Sequence, residues 1–384
     1  MKSILIISQI LPLKSHNGGS TQIRNLIKAL KRNGYLTDFV SFNIPKSDDS
    51  SLEEVKIFLN QYTQRYFIIP FNSSYKPNLF SCEGVVSYYS SKMNKILKML
   101  SNQHYSAIFA EFISMGHYIK NFSGVPKIIN IHELNFLRQF REGKLNYTKR
   151  DKLYLIFDSI KSALQEIRLL KEADIILSYN QFEVELIKIF IKNKGVHHIP
   201  LTIEIPEKRI NPDEREFDFV FLGNYEHKPN RDAAQFILDN IKSVIGGKKL
   251  LIGGRNINLL RYTNNQQNNI ILTANIDEPH KFLQKGRILI APIFTGGGAR
   301  VKIVEGMANE NLIITTDIGA EGLTDEEKRG MFIFSKEDFL NGKAITIAEN
   351  YNRYLNLLHQ NILNVESYHN IDASLRVREL YIRG

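Results

Sequence analysis

The sequence is almost without cysteine: Cys82 stands alone among 384 residues. That excludes an intrachain disulfide framework and a zinc site built from several thiolates, and a cytosolic home is the expectation. Long apolar runs are missing too, since no segment approaches the roughly 20 consecutive apolar residues of a membrane span. The opening Met1–Ile7 places a lysine ahead of an apolar run, but Gln9, Lys14 and His16 soon follow. It reads as a first strand rather than a signal peptide, so any membrane would be met from its surface. Acidic residues are outnumbered, 40 against 50 lysines and arginines, for a net charge of +10. Such an excess suits an anionic partner (a sugar nucleotide, an anionic membrane or a nucleic acid) or simply a solvated basic surface. No basic stripe interleaved with aromatics is present, which argues against nucleic acid.

What is present is an ordinary globular balance, 43% apolar and 23% charged, which argues against disorder. A chain of 384 residues is comfortable as two domains with two cores. Apolar runs at Ile4–Ile7, Phe39–Val40, Tyr66–Ile69, Ala107–Phe112 and Lys127–Ile131 are separated by helical patterns. One such pattern, Ile23, Leu26, Ile27 and Leu30, follows a loop containing Gly18 and Gly19. The alternation predicts a parallel sheet with helices on both faces. Glu204 to Glu216, charged and holding Pro206 and Pro212, reads as a linker. Fresh strands follow at Phe217–Leu222, Leu250–Ile252, Ile270–Thr273 and Ile288–Ala291, and the tail from Ala344 is helical in pattern. His197 and His198, adjacent on a strand, point to opposite faces, and Asp48–Asp49 lies in a serine-flanked loop; neither reads as a metal site.

The stretch from Pro292 to Ala308 carries the chemistry. An apolar strand ends at a proline, Gly296-Gly297-Gly298 follows, and Val301, Val304 and Ala308 then fall on one helical face. Three glycines let the backbone approach a bulky anion, and the next helix aims free amides and its positive dipole end into the same space. Arg300 and Lys302 add two cations where the dipole disfavours them unless an anion is bound. Glu305, one turn on, suits neutral hydroxyls such as those of a ribose. A tight loop with no ligand is the plain alternative for a glycine run taken alone.

The order Ala-Pro, Gly-Gly-Gly-x-Arg-x-Lys, Glu-Gly-Met-Ala, then Thr315-Thr316 and Gly319-Ala320-Glu321-Gly322-Leu323 resembles the donor-binding half of family-4 retaining glycosyltransferases. The resemblance implies an α/β GT-B fold: two Rossmann-like doubly wound domains facing a central cleft, with a C-terminal helix crossing back to the N-terminal domain. It places an acceptor-binding domain at 1–203, a nucleotide-sugar-binding domain at 217–350 and returning helices at 351–384. It implies a metal-independent hexosyltransferase without a cofactor, taking a nucleotide-sugar donor and a glycan or lipid-linked acceptor in surface polysaccharide biosynthesis.

By the same resemblance Gly296, Gly297 and Gly298, with Arg300 and Lys302, hold the diphosphate, and Glu305 holds the ribose. His132, after the strand Lys127–Ile131, touches the transferred sugar, while Gly18, Gly19, Gly223 and Lys228 line the donor site. Two positions depart from the pattern. Asn224 stands where many relatives carry an arginine after the glycine, and Gly297 where the first of paired glutamates falls. A non-catalytic GT-B protein that binds a glycan or partner, or a sugar-nucleotide epimerase, are the competing readings. Asn230 or Asp232 is expected to cap the helix after Gly223. Ser91–Leu100, with Lys92, Lys95 and Lys98 on one side, fits either a core-packed surface helix or one lying on an anionic membrane, and Arg138–Lys152 is a second basic segment. The protein is expected in the cytoplasm, peripheral on the inner face of the cell membrane.

Overall fold

The computed structural model describes residues 1–13, 18–43, 49–72, 87–143, 149–192, 194–262 and 269–382. Cys82 and Asp48 lie outside them. The chain forms two compact units: Gly19–Thr202 with Met1–Lys14 and Ile371–Gly384, and a second unit spanning Ile203–Asn370.

In the first unit, strands β1 (Ser3–Ser8), β2 (Leu36–Asn43), β3 (Arg65–Pro70), β4 (Ala107–Glu111), β5 (Lys127–Ile131), β6 (Ile175–Ser178) and β7 (Gly195–His198) make one sheet. Their order is 3-2-1-4-5-6-7 and every pairing is parallel. Ile4 to Ile7 and Ala107 to Ala110 are fully buried, as central strands covered on both faces must be. The helix Ser91–Leu100 packs Met93, Leu97 and Leu100 into this core, so its apolar side is occupied and its lysines face solvent.

The second unit repeats the plan with β8 (Phe217–Leu222), β9 (Leu250–Gly254), β10 (Ile270–Ala274), β11 (Gly286–Ala291), β12 (Leu312–Thr315) and β13 (Met331–Ile333). Strand order is 10-9-8-11-12-13, again parallel throughout. The helix Val301–Ala308 lies close on β11 and β12 because Gly306 has no side chain; a Cβ there would sit 2.5 Å from Leu289 Cδ2 and 2.9 Å from Ile313 Cδ1.

Two segments differ from the sequence expectation. Glu204–Glu216 belongs to the second unit, where Arg215 is buried and donates to the carbonyls of Gly286 (3.0 Å), Glu310 (3.0 Å), Asn309 (2.9 Å) and Ile210 (3.0 Å). Its guanidinium thus gathers four backbone carbonyls, that of Gly286 shared with Asn311 Nδ2 at 2.7 Å. Residues 351–370 also stay with the second unit, since Leu355–Tyr368 packs on Val301–Ala308 and Asn361 Nδ2 donates to Gly330 O at 3.0 Å. Only residues from Ile371 onward join the first unit.

Candidate active site

Strand order in the second sheet reverses between β8 and β11, and the loops leaving their C-terminal ends are where open α/β sheets take ligands. The loop after β11 turns through Gly296 at φ 107° and Gly298 at φ 70°. A Cβ at Gly296 would fall 2.7 Å from Arg300 Nη2, so glycine there lets the loop fold beneath the arginine. Arg300 occupies the N-cap of Val301–Ala308 without a side-chain cap. Its guanidinium donates instead to Gly297 O at 2.6 Å and Thr295 O at 3.3 Å, bracing the glycine turn.

Lys302 Nζ donates to Asn230 Oδ1 at 2.6 Å and stands 4.5 Å from the Phe221 ring centre. Asn230 Nδ2 in turn donates to Asn224 O at 3.0 Å, so one amide ties the loop after β8 to the lysine. Burial, then the neighbouring Arg300, pushes the Lys302 ammonium down to about 7. Burial pushes Glu305 up to about 7, with Lys302 acting against it. Among the described residues, nothing donates a hydrogen bond to the Glu305 carboxylate. The group therefore offers two cations at an uncapped helix start and, one turn later, an acceptor for hydroxyls. The first feature suits an anion and the second a hydroxylated group.

A second polar group closes the β4–β5–β6 edge in the first unit. Glu111, buried at the end of β4, accepts from Arg378 Nη2 at 3.0 Å and Asn130 Nδ2 at 2.7 Å, and lies 2.9 Å from His132 Nε2. Burial alone would raise this carboxyl, but the Arg378 charge, with His132 and Asn130, lowers it to about 2. A carboxylate has no proton to give, so Nε2 of His132 carries the hydrogen of this contact. Phe112 stacks on that ring at 3.9 Å and 13°. It does so from φ 80°, a strained conformation for a bulky residue and one that clusters at functional sites. Glu166 and Glu183 serve the same edge: Glu166 accepts from Asn135 N (3.0 Å) and Phe136 N (3.2 Å), and Glu183 from Leu134 N (3.0 Å).

Residues 216–350 match the family model described as Glycosyl transferases group 1. The matched residues fall within the second unit. Over 96% of its length the chain is similar, at 20% identity, to an uncharacterized 44.6 kDa protein in the cps region of Klebsiella pneumoniae, covering 95% of that protein. Among solved structures it is similar to sucrose-phosphate synthase from Thermosynechococcus elongatus, with a TM-score of 0.70 and 15% identity over 99% of this chain and 98% of that one. It is also similar to the Anabaena protein HepE in complex with UDP, with a TM-score of 0.65 and 12% identity over 99% of both chains. These likenesses establish the GT-B fold.

Within the matched segment the structure brings Gly296, Gly297, Gly298, Arg300 and Lys302 together, with Glu305 a turn away. Gly223 packs against Asn230, whose Cβ would meet a Cβ there at 3.2 Å. Lys228 is ion-paired with Asp232, and neither Asp232 nor Asn230 caps the helix Lys228–Asp239, which begins at His227 without a side-chain cap. The helix starts earlier than the apolar pattern suggested, placing Asn230 in its first turn where its amide bridges instead. Gly18 and Gly19 open the helix Gly18–Arg32, which belongs to the first unit from Gly19 onward, Gly18 being grouped with the second. Asn130, Glu111 and Arg378 join the β4–β5–β6 edge with little local signal in the sequence. A glutamate ending an otherwise apolar run was the one visible signal.

Proposed function

We propose that this protein is a retaining glycosyltransferase of the family-4 type. It moves a hexosyl group from a nucleoside-diphosphate sugar to a glycan or lipid-linked acceptor in surface polysaccharide assembly. The observation that carries the reading is the pair Arg300 and Lys302 at the positive end of a helix. Each cation disfavours the other, and Lys302 is driven towards neutrality. A bound diphosphate relieves that repulsion and restores the lysine charge.

In the proposed step the anomeric C–O bond to the diphosphate breaks while the acceptor oxygen bonds to the same face of the anomeric carbon. The acceptor proton passes to the departing phosphate oxygen. Arg300, Lys302 and the helix amides stabilise the charge gathering on the leaving group, the role a metal fills in other transferases, so the reaction is proposed to be metal-independent. Glu305 accepts from the ribose hydroxyls. His132, fixed by Glu111, contacts the transferred sugar. The neighbour crystallised with UDP and the cps-region relative support a nucleotide-sugar donor and a polysaccharide product. A lipid-linked acceptor would place the enzyme in the cytoplasm against the inner face of the membrane.

Thermal shift with UDP-, GDP-, ADP- and dTDP-sugars tests the donor site. Ligand at 100 times its Kd stabilises by about 2.7 kcal/mol, and this shift is expected for one nucleotide series and lost in Glu305→Ala and Lys302→Gln. No shift with any series at millimolar ligand would overturn the reading. Release of nucleoside diphosphate with glycosylated acceptor separates transfer from epimerisation and from binding alone.

A further inference from the structure

The helix Lys149–Leu170 of the first unit is inside out. Along its middle the inner side is polar, with Ser159, Ser162 and Glu166 buried, before Leu169 and Leu170 enter the core at its end. Ser159 Oγ donates to Phe136 O at 2.9 Å, Ser162 Oγ to Gln139 Oε1 at 2.7 Å, and Gln139 Nε2 to Asp158 Oδ2 at 2.8 Å. Its outer side is apolar: Leu153 is 69% exposed, Tyr154 65%, Phe157 53%, Ile160 56% and Leu164 67%. Residues 153, 157, 160 and 164 follow the spacing i, i+4, i+7, i+11, so they form one stripe about 16 Å long. Single exposed apolar residues are commonplace, but a continuous stripe of large ones marks an interaction surface. Rolling the helix to hide the stripe would break the inner hydrogen bonds, so the stripe requires a cover from outside.

Charge identifies the cover. Arg150 and Arg168 are exposed near the two ends of the stripe, against exposed Asp151, and Lys152 is half-buried beside it, while Lys161 is held by Asp158 at 3.0 Å. The chain carries +10. A second copy would bring like charge against like, whereas an anionic bilayer attracts the same residues at about 1 kcal/mol each near its surface. No described helix is long and apolar enough to cross a membrane. We propose that this face lies on an anionic membrane surface, with Leu153, Phe157, Ile160 and Leu164 at the acyl boundary and the cations among the headgroups. The proposal gives the membrane placement suggested above a defined surface, and its test needs no sugar nucleotide.

The chain has no tryptophan, so Tyr154→Trp supplies a single reporter. Full-length protein is mixed with vesicles of phosphatidylcholine alone or with 30 mol% phosphatidylglycerol, and binding is read by flotation and by the emission maximum. The anionic vesicles are expected to float the protein and shift the emission to the blue. Phe157→Asp with Leu164→Asp is expected to cut binding at least tenfold with the melting temperature and donor binding unchanged. Lys92→Ala with Lys95→Ala, on the core-packed helix, is expected to keep most of it. Absence of binding to anionic vesicles, or binding indifferent to the two aspartates, overturns the proposal. So does a wild-type dimer in sedimentation that the same aspartates convert to monomer.

Discussion

Replacing Arg378 by methionine removes the charge that holds Glu111 as a carboxylate inside the first unit. The carboxyl sits at about 2 where 4.5 is ordinary although burial alone would raise it, and the Arg378 charge is the largest of the influences that lower it. Removing one partner of such a buried ion pair typically costs about 3–5 kcal/mol, and about 3 kcal/mol is taken for this one. For a unit of this size about 3 kcal/mol corresponds to a melting shift of roughly 6–12 °C. The sign with pH follows from the lowered value. The stabilisation is fully present above the unfolded carboxyl's 4.5 and fades as pH falls towards 2. Wild type and Arg378→Met are thus expected to differ most at neutral pH and to converge below pH 4.5 in scanning calorimetry. Adding Glu111→Gln removes the orphaned charge and should recover most of the loss. A gap under about 1 kcal/mol at pH 7.5, or an equal gap at pH 7.5 and pH 4, would refute the reasoning.

Three further predictions concern the second unit. Diphosphate binding should take up close to one proton at pH 8 and close to none at pH 6, because Lys302 lies at about 7 and the anion recharges it; calorimetry in buffers of different ionisation heat measures this, and a proton count that is the same at pH 6 and pH 8 would contradict it. Lys302→Met is expected to stabilise the ligand-free protein by about 1–3 kcal/mol in chemical denaturation while abolishing nucleotide binding, since a lysine with a lowered value destabilises the fold wherever it is charged; a loss of stability would argue against a burdened lysine. Gly254→Ala should cost more than about 2 kcal/mol, as its Cβ would fall 1.8 Å from the Gly223 carbonyl oxygen at φ 134°, and a neutral result in denaturant melts would show that the β8 and β9 loops yield easily.

Periodicity made the two sheets legible, because buried parallel strands are continuous apolar runs and the helices between them keep a 3.6-residue stripe. The glycine loop with Arg300, Lys302 and Glu305 was legible for the same reason, being local: all its parts lie within ten residues of one another. What stayed hidden was non-local. Glu111 finds Arg378 at a separation of 267 residues, and nothing near either residue announces the other. Asn230 reads as a cap in a one-dimensional pattern, yet the structure uses it as a bridge to Lys302. Arg215 looked like linker charge because composition cannot tell a solvated arginine from one surrounded by carbonyls. The helix Lys149–Leu170 shows the limit of amphipathicity, which gives a helix two sides without saying which faces in.

The pairing of Glu111 with Arg378 also sets a timetable. The second unit is inserted into the first, and Ile203 N donates to His369 O at 3.0 Å, so the outgoing and returning strands lie together. A ribosome adding roughly 5–20 residues per second needs about 13–50 s to travel from position 111 to position 378. For all of that interval the nascent sheet has β4 complete and its terminal carboxylate without its guanidinium. The first unit to be started is the last to be finished, and a stalled or truncated chain would expose its weakest point at the histidine-bearing edge.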